Sequence, residues 1–310
     1  MLLNILYILI GFALVLWGAG RLTDGAVGLA QKFRVPQLII GLTIVAIGTS
    51  MPEFFVSLAA ALKGTADLSV GNIVGSNIFN ALLIVGAAAL VAPIAITADS
   101  VKRQIPFALV ASMVLFMMCV DSVISRIDAL VLLVLFVVFM VFTLRDARGQ
   151  KDADEAPSKP MPLLKASLFL LLGLACLIIG SEVFVNGAQY VAHRLGVSDA
   201  VIGLTIVACG TSLPELATSL VAARRGNSGI AIGNVVGSNI FNILMILGIT
   251  GLIRPLHIQG ITTIDLSVMV GAMILLWLFS YTKMRIERWE GALLTVCFLC
   301  YLGWLVASVA

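Results

Sequence analysis

Apolar residues run in stretches of about 20 from Leu2 to the C-terminus, broken only by short polar segments; an α-helix needs that length to cross a hydrocarbon core of roughly 30 Å. The pattern predicts an all-α polytopic membrane protein of about ten transmembrane helices. They are expected over 2–20, 36–62, 68–92, 104–121, 127–144, 163–190, 200–223, 229–253, 262–281 and 289–308. Five precede and five follow the only long hydrophilic stretch, 145–162, whose charges and prolines mark a flexible linker too short to be a regulatory domain. The expected units are therefore 1–144 and 163–310, joined by that linker. The first segment lacks a basic leader and has a counterpart in mid-chain, so it reads as a spanning helix, not a signal peptide.

The two units are copies of one another. Residues 36–94 align with 198–256 at a constant offset of 162, without a gap, and 31 of 59 positions are identical. The same offset matches Gly11 with Gly173, Gly18 with Gly180 and Gly25 with Gly187, which brings the first helix of each unit into the repeat. A unit with an odd number of helices forces its second copy into the membrane from the opposite side, so inverted five-helix repeats are expected, with substrate near the midplane between them. Lys and Arg counts set the orientation. With the N-terminus outside, fifteen of the 19 basic residues fall in inner loops, and only Lys63, Arg126, Arg194 and Arg254 in outer ones. Both termini then face outward and the linker is cytoplasmic.

Composition sharpens this picture. Of 310 residues, 61% are hydrophobic and 11% charged, against about 25% charged in soluble domains, and the mean hydropathy is +1.13. The lipid bilayer is thus the expected surrounding. A net charge of +3 with no basic face gives nucleic acid nothing to bind, and no obligate protein partner is evident. Cys119, Cys176, Cys209, Cys297 and Cys300 all lie in apolar stretches, where thiols are packing residues. Neither a disulfide framework nor a zinc or redox site at Cys297-x-x-Cys300 is expected.

The candidate chemistry lies in two matched pairs of segments. Gly41–Glu53 reads GLTIVAIGTSMPE and Gly203–Glu215 reads GLTIVACGTSLPE. Each buries one carboxylate, Glu53 or Glu215, in an apolar span, at a cost of at least roughly 2.5–3.5 kcal/mol on insertion scales. Pro52 and Pro214 lack the N–H that would bond the carbonyls of Gly48 and Gly210, so each helix should kink or unwind there. Freed carbonyls with Thr and Ser hydroxyls beside them are the hard oxygen ligands of Na⁺ and Ca²⁺. Cys209 and Met51 are the sole soft ligands, which disfavours copper or zinc.

The next helix of each unit carries Gly71–Asn80 (GNIVGSNIFN) and Gly233–Asn242 (GNVVGSNIFN). Ser76 and Asn80, like Ser238 and Asn242, share a helix face that can point at the glutamates. The Gly-x-x-x-Gly spacings suit close helix contact. Asn72, Asn77, Asn234 and Asn239 are open to two readings, as structural groups that cap or bond the backbone of neighbouring helices, or as site residues. Asp24 and Glu182 are expected near helix ends.

These doubled G-T-S-x-P-E and G-S-N-I-x-N motifs resemble the two α-repeats of the sodium/calcium exchanger family, and the resemblance extends over nearly the whole chain. It implies a secondary active antiporter, not an enzyme and without a cofactor, in the cell membrane, of the prokaryotic type without a large regulatory loop. It implies a central Ca²⁺ site from the carboxylates of Glu53 and Glu215 and the carbonyls of Thr49 and Thr211. Flanking Na⁺ sites would use Thr211, Ser212, Ser238 and the Ala208 carbonyl with Glu53. On the other side they would use Thr49, Ser50, Ser76 and the Ala46 carbonyl with Glu215, with Asn80 and Asn242 between them. Many members have an aspartate where this chain has Asn242, so the site has one carboxylate fewer. Two glutamates balance one Ca²⁺ or two Na⁺; a third Na⁺ would leave the loaded site positive and exchange electrogenic.

Three other readings use the same apolar, carboxylate-bearing helices. An H⁺/Ca²⁺ exchanger would use the same glutamates as proton carriers. An intramembrane hydrolase would need a motif such as H-E-x-x-H or G-x-S-x-G, and neither occurs. A passive channel would not need a trans ion.

Overall fold

The computed structural model describes residues 2–149, 161–195 and 208–309. Its helices are α1 (Leu2–Phe33), α2 (Gln37–Thr49), α3 (Met51–Lys63), α4 (Ala66–Val91), α5 (Ser100–Met118), α6 (Arg126–Gly149), α7 (Leu163–Arg194), α8 (Ala208–Thr211), α9 (Leu213–Arg224), α10 (Ser228–Ile253), α11 (Thr263–Tyr281) and α12 (Arg288–Val309). Among the described residues, eight helices are long and apolar enough to cross a membrane, or nine when the bent pair α2 and α3 counts as one span. The expected helix 200–223 is described only from Ala208 onward, and most of the linker, 150–160, also lies outside the described residues.

The sequence placed the first helix of each unit at 2–20 and 163–190. Both are 32 residues long in the structure, about 48 Å at 1.5 Å per residue. Polar residues do not stop a helix, so α1 continues through Arg21 and Asp24 until Arg34, at φ 53°, and Pro36 end it. Asp24 and Glu182 consequently sit well inside long helices, not at their ends. Likewise α6 runs on to Gly149, into the stretch read as linker.

Helices α1 and α7 pack closely and antiparallel through their repeat-matched glycines. A Cβ on Gly11 would lie 2.7 Å from the Gly180 carbonyl, one on Gly18 2.8 Å from that of Gly173, and one on Gly25 2.7 Å from that of Ala166. Only glycine lets the backbones meet here, the small-residue packing that substitutes for a hydrophobic drive between helices in lipid.

The centre is formed by α4 and α10, whose most apolar windows are 78% buried, against 22–28% for α1, α6, α7 and α12. Gly233 and Gly237 admit the backbone of α2, with a Cβ on Gly233 falling 2.7 Å from the Leu38 carbonyl and one on Gly237 2.6 Å from that of Leu42. Their first-unit counterparts differ: a Cβ on Gly71 would lie 3.2 Å from Ile261 Cδ1, and one on Gly75 meets nothing within 4 Å among the described residues.

Elements recur at the offset seen in the sequence: π-helical turns Phe79–Ile84 and Phe241–Ile246 interrupt α4 and α10. Short strands Ile94–Ala95 (β1), Val123–Ile124 (β2), Leu256–His257 (β3) and Arg285–Ile286 (β4) follow the same spacing. They pair across the units, β1 with β4 and β2 with β3, both antiparallel. Gly86 lies against Gly291 and Thr295 on α12, while Gly248 lies against Ala129 and Leu133 on α6. Each unit's last helix therefore packs on the other unit's central one.

Candidate functional site

The sequence breaks the helix where the carboxylate is needed. Pro52 cannot continue the helical ladder, and α2 and α3 meet at Ser50 with a bend of 47°. Ser50 has φ −83° and ψ 8°, and its counterpart Ser212, between α8 and α9, has φ −90° and ψ 7°. Glu53 and Glu215 fall in the first turn after each break, where the unpaired N–H groups of a helix N-terminus favour negative charge.

The two units then close on each other. Ser212 Oγ donates to Glu53 Oε1 at 2.9 Å, and Ser50 Oγ donates to Glu215 Oε1 at 2.9 Å. Ser76 Oγ also donates to Glu53 Oε1, at 3.3 Å, and lies 3.1 Å from Ser212 Oγ. Thr49 Oγ1 lies 3.1 Å from the Val45 carbonyl and 3.0 Å from Asn234 Oδ1, both acceptors within its reach. Ser238 Oγ reaches the Ala46 carbonyl at 3.5 Å. Below this level four asparagines bridge the units: Asn80 Nδ2 donates to Asn239 Oδ1 at 3.0 Å and Asn242 Nδ2 to Asn77 Oδ1 at 3.4 Å.

Both carboxylates are 1% exposed, and neither has a Lys or Arg partner among the described residues. Among the described residues, one oxygen of each, Glu53 Oε2 and Glu215 Oε2, accepts no hydrogen bond, and the same is true of Asn80 Oδ1 and Asn242 Oδ1. A buried anion without a counter-charge is strongly unfavourable. Two unsatisfied carboxylate oxygens and two unsatisfied amide oxygens, all buried, match the appetite of a hard cation for oxygen ligands.

Of the residues singled out in the sequence, Glu53, Glu215, Ser50, Ser212, Ser76, Ser238, Thr49, Ala46, Asn80 and Asn242 come together in this buried centre. Thr211 is half-buried and closes the short turn opened by Ala208; residues 203–207 before it are outside the described residues. Two features, the π-helical turns and the serines Ser57 and Ser219, were not foreseen. The π-helical turns Gly41–Val45, Phe79–Ile84 and Phe241–Ile246 have no sequence signature of their own, although such turns gather at functional sites. Asn239 bonds the backbone of a neighbouring helix, at the Asn77 carbonyl, as one of its two readings had it, and Asn77 and Asn239 also pair with Asn242 and Asn80 across the units. Ser57 and Ser219 bind the asparagines behind the glutamates; their identity at matched repeat positions was the available signal.

Comparison with known proteins agrees with this geometry. The family described as sodium/calcium exchanger protein matches residues 3–145 and 165–307. A putative antiporter, CaxA, of Alkalimonas amylolytica is 40% identical over 97% of this chain and 98% of its own length. The sodium/calcium exchanger MaX1 of Methanosarcina acetivorans is 35% identical over 96% of this chain and 97% of its own. Among solved structures, the sodium-calcium exchanger NCX_Mj soaked with zero Na⁺ and Ca²⁺ superposes with a TM-score of 0.86 at 34% identity, covering 98% of this chain and 99% of that one.

Proposed function

This chain belongs to the sodium/calcium exchanger family, and from that premise we propose that it exchanges Na⁺ for Ca²⁺ by alternating access at a shared midplane site. One observation carries the proposal: Glu53 and Glu215, matched across the repeat, each accept a serine of the opposite unit on one oxygen, and the other oxygen has no partner among the described residues. In this reading a Ca²⁺ ion is held by both carboxylates with the carbonyls of Thr49 and Thr211. Sodium ions use Thr49, Ser50, Ser76 and the Ala46 carbonyl with Glu215, or Thr211, Ser212, Ser238 and the Ala208 carbonyl with Glu53, and Asn80 and Asn242 lie between. Both ions need the same glutamates, so they compete, and competition at one site that faces one side at a time couples their fluxes.

The architecture proposed is ten spanning helices in two inverted repeats in the cell membrane, with both termini outside. The antiparallel contact of α1 with α7, helices matched by the repeat, supports inversion, as do the cross-unit strand pairs. Access changes when the α1 and α7 pair slides past the central helices. Three Na⁺ against one Ca²⁺ would move net charge, because three positive charges cross one way and two the other, whatever charge the site itself carries.

The test is ⁴⁵Ca²⁺ uptake into proteoliposomes loaded with Na⁺, with K⁺ or choline as controls and a pH gradient as a third arm. Uptake that requires internal Na⁺ and responds to membrane potential is the expected result. Uptake driven by the pH gradient without Na⁺ would replace Na⁺ coupling with proton coupling at the same glutamates.

A further inference from the structure

Behind each glutamate the structure repeats a polar chain whose residues are not ion ligands in the reading above. Asn72 Nδ2 donates to the Glu53 backbone carbonyl at 3.2 Å and to Ser57 Oγ at 2.9 Å, and Ser57 Oγ donates on to the Ser69 carbonyl at 3.3 Å. In the second unit Asn234 Nδ2 donates to the Glu215 carbonyl at 3.3 Å and to Ser219 Oγ at 3.0 Å, and Ser219 Oγ donates to the Ala231 carbonyl at 3.3 Å. Ser57, Ser219 and Asn234 are fully buried.

The arrangement departs from what a helical serine ordinarily does. A serine in a spanning helix most often bonds the carbonyl four residues back, and for Ser57 and Ser219 those carbonyls belong to Glu53 and Glu215. Here the asparagine of the next helix takes that carbonyl, which has a second lone pair to offer, and the serine turns outward to the same neighbouring helix. The result is a two-point staple across consecutive helices. It acts on the first turn after a break, whose first N–H groups have no preceding turn to bond, and it fixes the backbone of that turn while the serines of the opposite unit hold the carboxylate itself.

We propose that Asn72 with Ser57 and Asn234 with Ser219 are positioning residues that set the direction of the Glu53 and Glu215 carboxylates, and thereby the affinity of the site for Ca²⁺. Asn234 adds a reason, because its Oδ1 lies 3.0 Å from Thr49 Oγ1 and so ties one glutamate's backbone to the opposite unit's threonine. The inference rests on the two glutamates being the ion ligands, and its test keeps the two claims apart.

Ser57→Ala, Ser219→Ala and the conservative Ser57→Thr and Ser219→Thr are compared with Glu53→Gln and Glu215→Gln in reconstituted Ca²⁺ uptake, normalised to monodisperse protein. Each alanine variant is expected to raise the KM for Ca²⁺ about threefold to tenfold, the range of one buried hydrogen bond, with threonine restoring it. Asn72→Asp, which keeps the size but loses the donor, is expected to raise KM in the same direction and covers the case in which an alanine variant does not fold. A lower maximal rate with unchanged KM in all of these would mean a purely structural staple and would overturn the positioning role. Retained Ca²⁺ flux in the glutamine variants would instead overturn the site on which the inference rests.

Discussion

Glu53 and Glu215 concentrate the molecule's charge problem in two side chains. Among the described residues each is held by hydroxyl donors on one oxygen, and hydroxyls cannot neutralise a carboxylate as a cation does. Glu53→Gln or Glu215→Gln keeps the shape, removes one negative charge, and is expected to abolish Ca²⁺ transport while leaving protein that elutes as a single folded species. Ser50→Ala and Ser212→Ala should be milder. Each removes one donor to the opposite glutamate and one hydroxyl proposed to bind Na⁺, and a tenfold rise in half-saturating Na⁺, about 1.4 kcal/mol, is the expected outcome in uptake measured against a Na⁺ series. An unchanged Na⁺ dependence in both would remove the serines from the site. These residues were legible in the sequence because burying a carboxylate in an apolar span twice, at one repeat spacing, has few structural explanations. Ser57 and Ser219 were not, and Asn77 and Asn239 were legible only as an open choice between structure and site, since small polar residues in spanning helices bond their own backbone as readily as a neighbour, and only packing decides which.

At the scale of elements, prolines and glycines did most of the positioning, and their effects differ in how far sequence reveals them. The bend at Ser50 follows from the missing N–H of Pro52 and was expected from the sequence. The lengths of α1 and α7 were not, because charge marks where a helix leaves lipid but not where it ends. The π-helical turns depend on how a whole helix accommodates its neighbours, so no residue type announces them. Pro52→Ala restores a donor and should straighten the α2–α3 junction, with transport falling about tenfold or more while the melting temperature holds or rises. A loss of stability alongside would show that the bend serves packing and not transport. The glycine contact gives a sharper test of fold. Gly18→Leu would drive a side chain into the Gly173 carbonyl, only 2.8 Å from a Cβ, whereas Gly303, with nothing within 4 Å, should accept leucine. Overpacking of this kind costs about 1–3 kcal/mol, so thermal unfolding should separate the two variants clearly.

For the whole molecule, the duplication makes the remaining asymmetries informative, since a feature present at one end of the repeat and missing at the other biases the exchange between two otherwise similar states. Arg225, after α9, bonds Asp24 Oδ1 on α1 at 2.7 Å and the Gly20 carbonyl at 3.0 Å, with side chains 42% and 36% exposed. The repeat assigns Lys63 to the place of Arg225, Asn186 to that of Asp24 and Glu182 to that of Gly20. The second end therefore pairs a lysine position with a neutral asparagine where the first has an ion pair, and its acid stands one helical turn away. If α1 and α7 slide as a unit, the Asp24–Arg225 pair must break or re-form at each turnover, stabilising one facing state over the other. An exposed pair contributes about 0.2–1 kcal/mol, so Asp24→Asn should change the ratio of Ca²⁺ half-saturation measured from the two membrane faces by about two- to fivefold, without abolishing exchange. Arg225→Gln should give the same change, and the double variant no more than either alone, because both remove one contact. Additive effects would mean that the two residues act separately, through Arg21 beside Asp24 or the Gly20 carbonyl, and the ion pair would then carry no part of the bias.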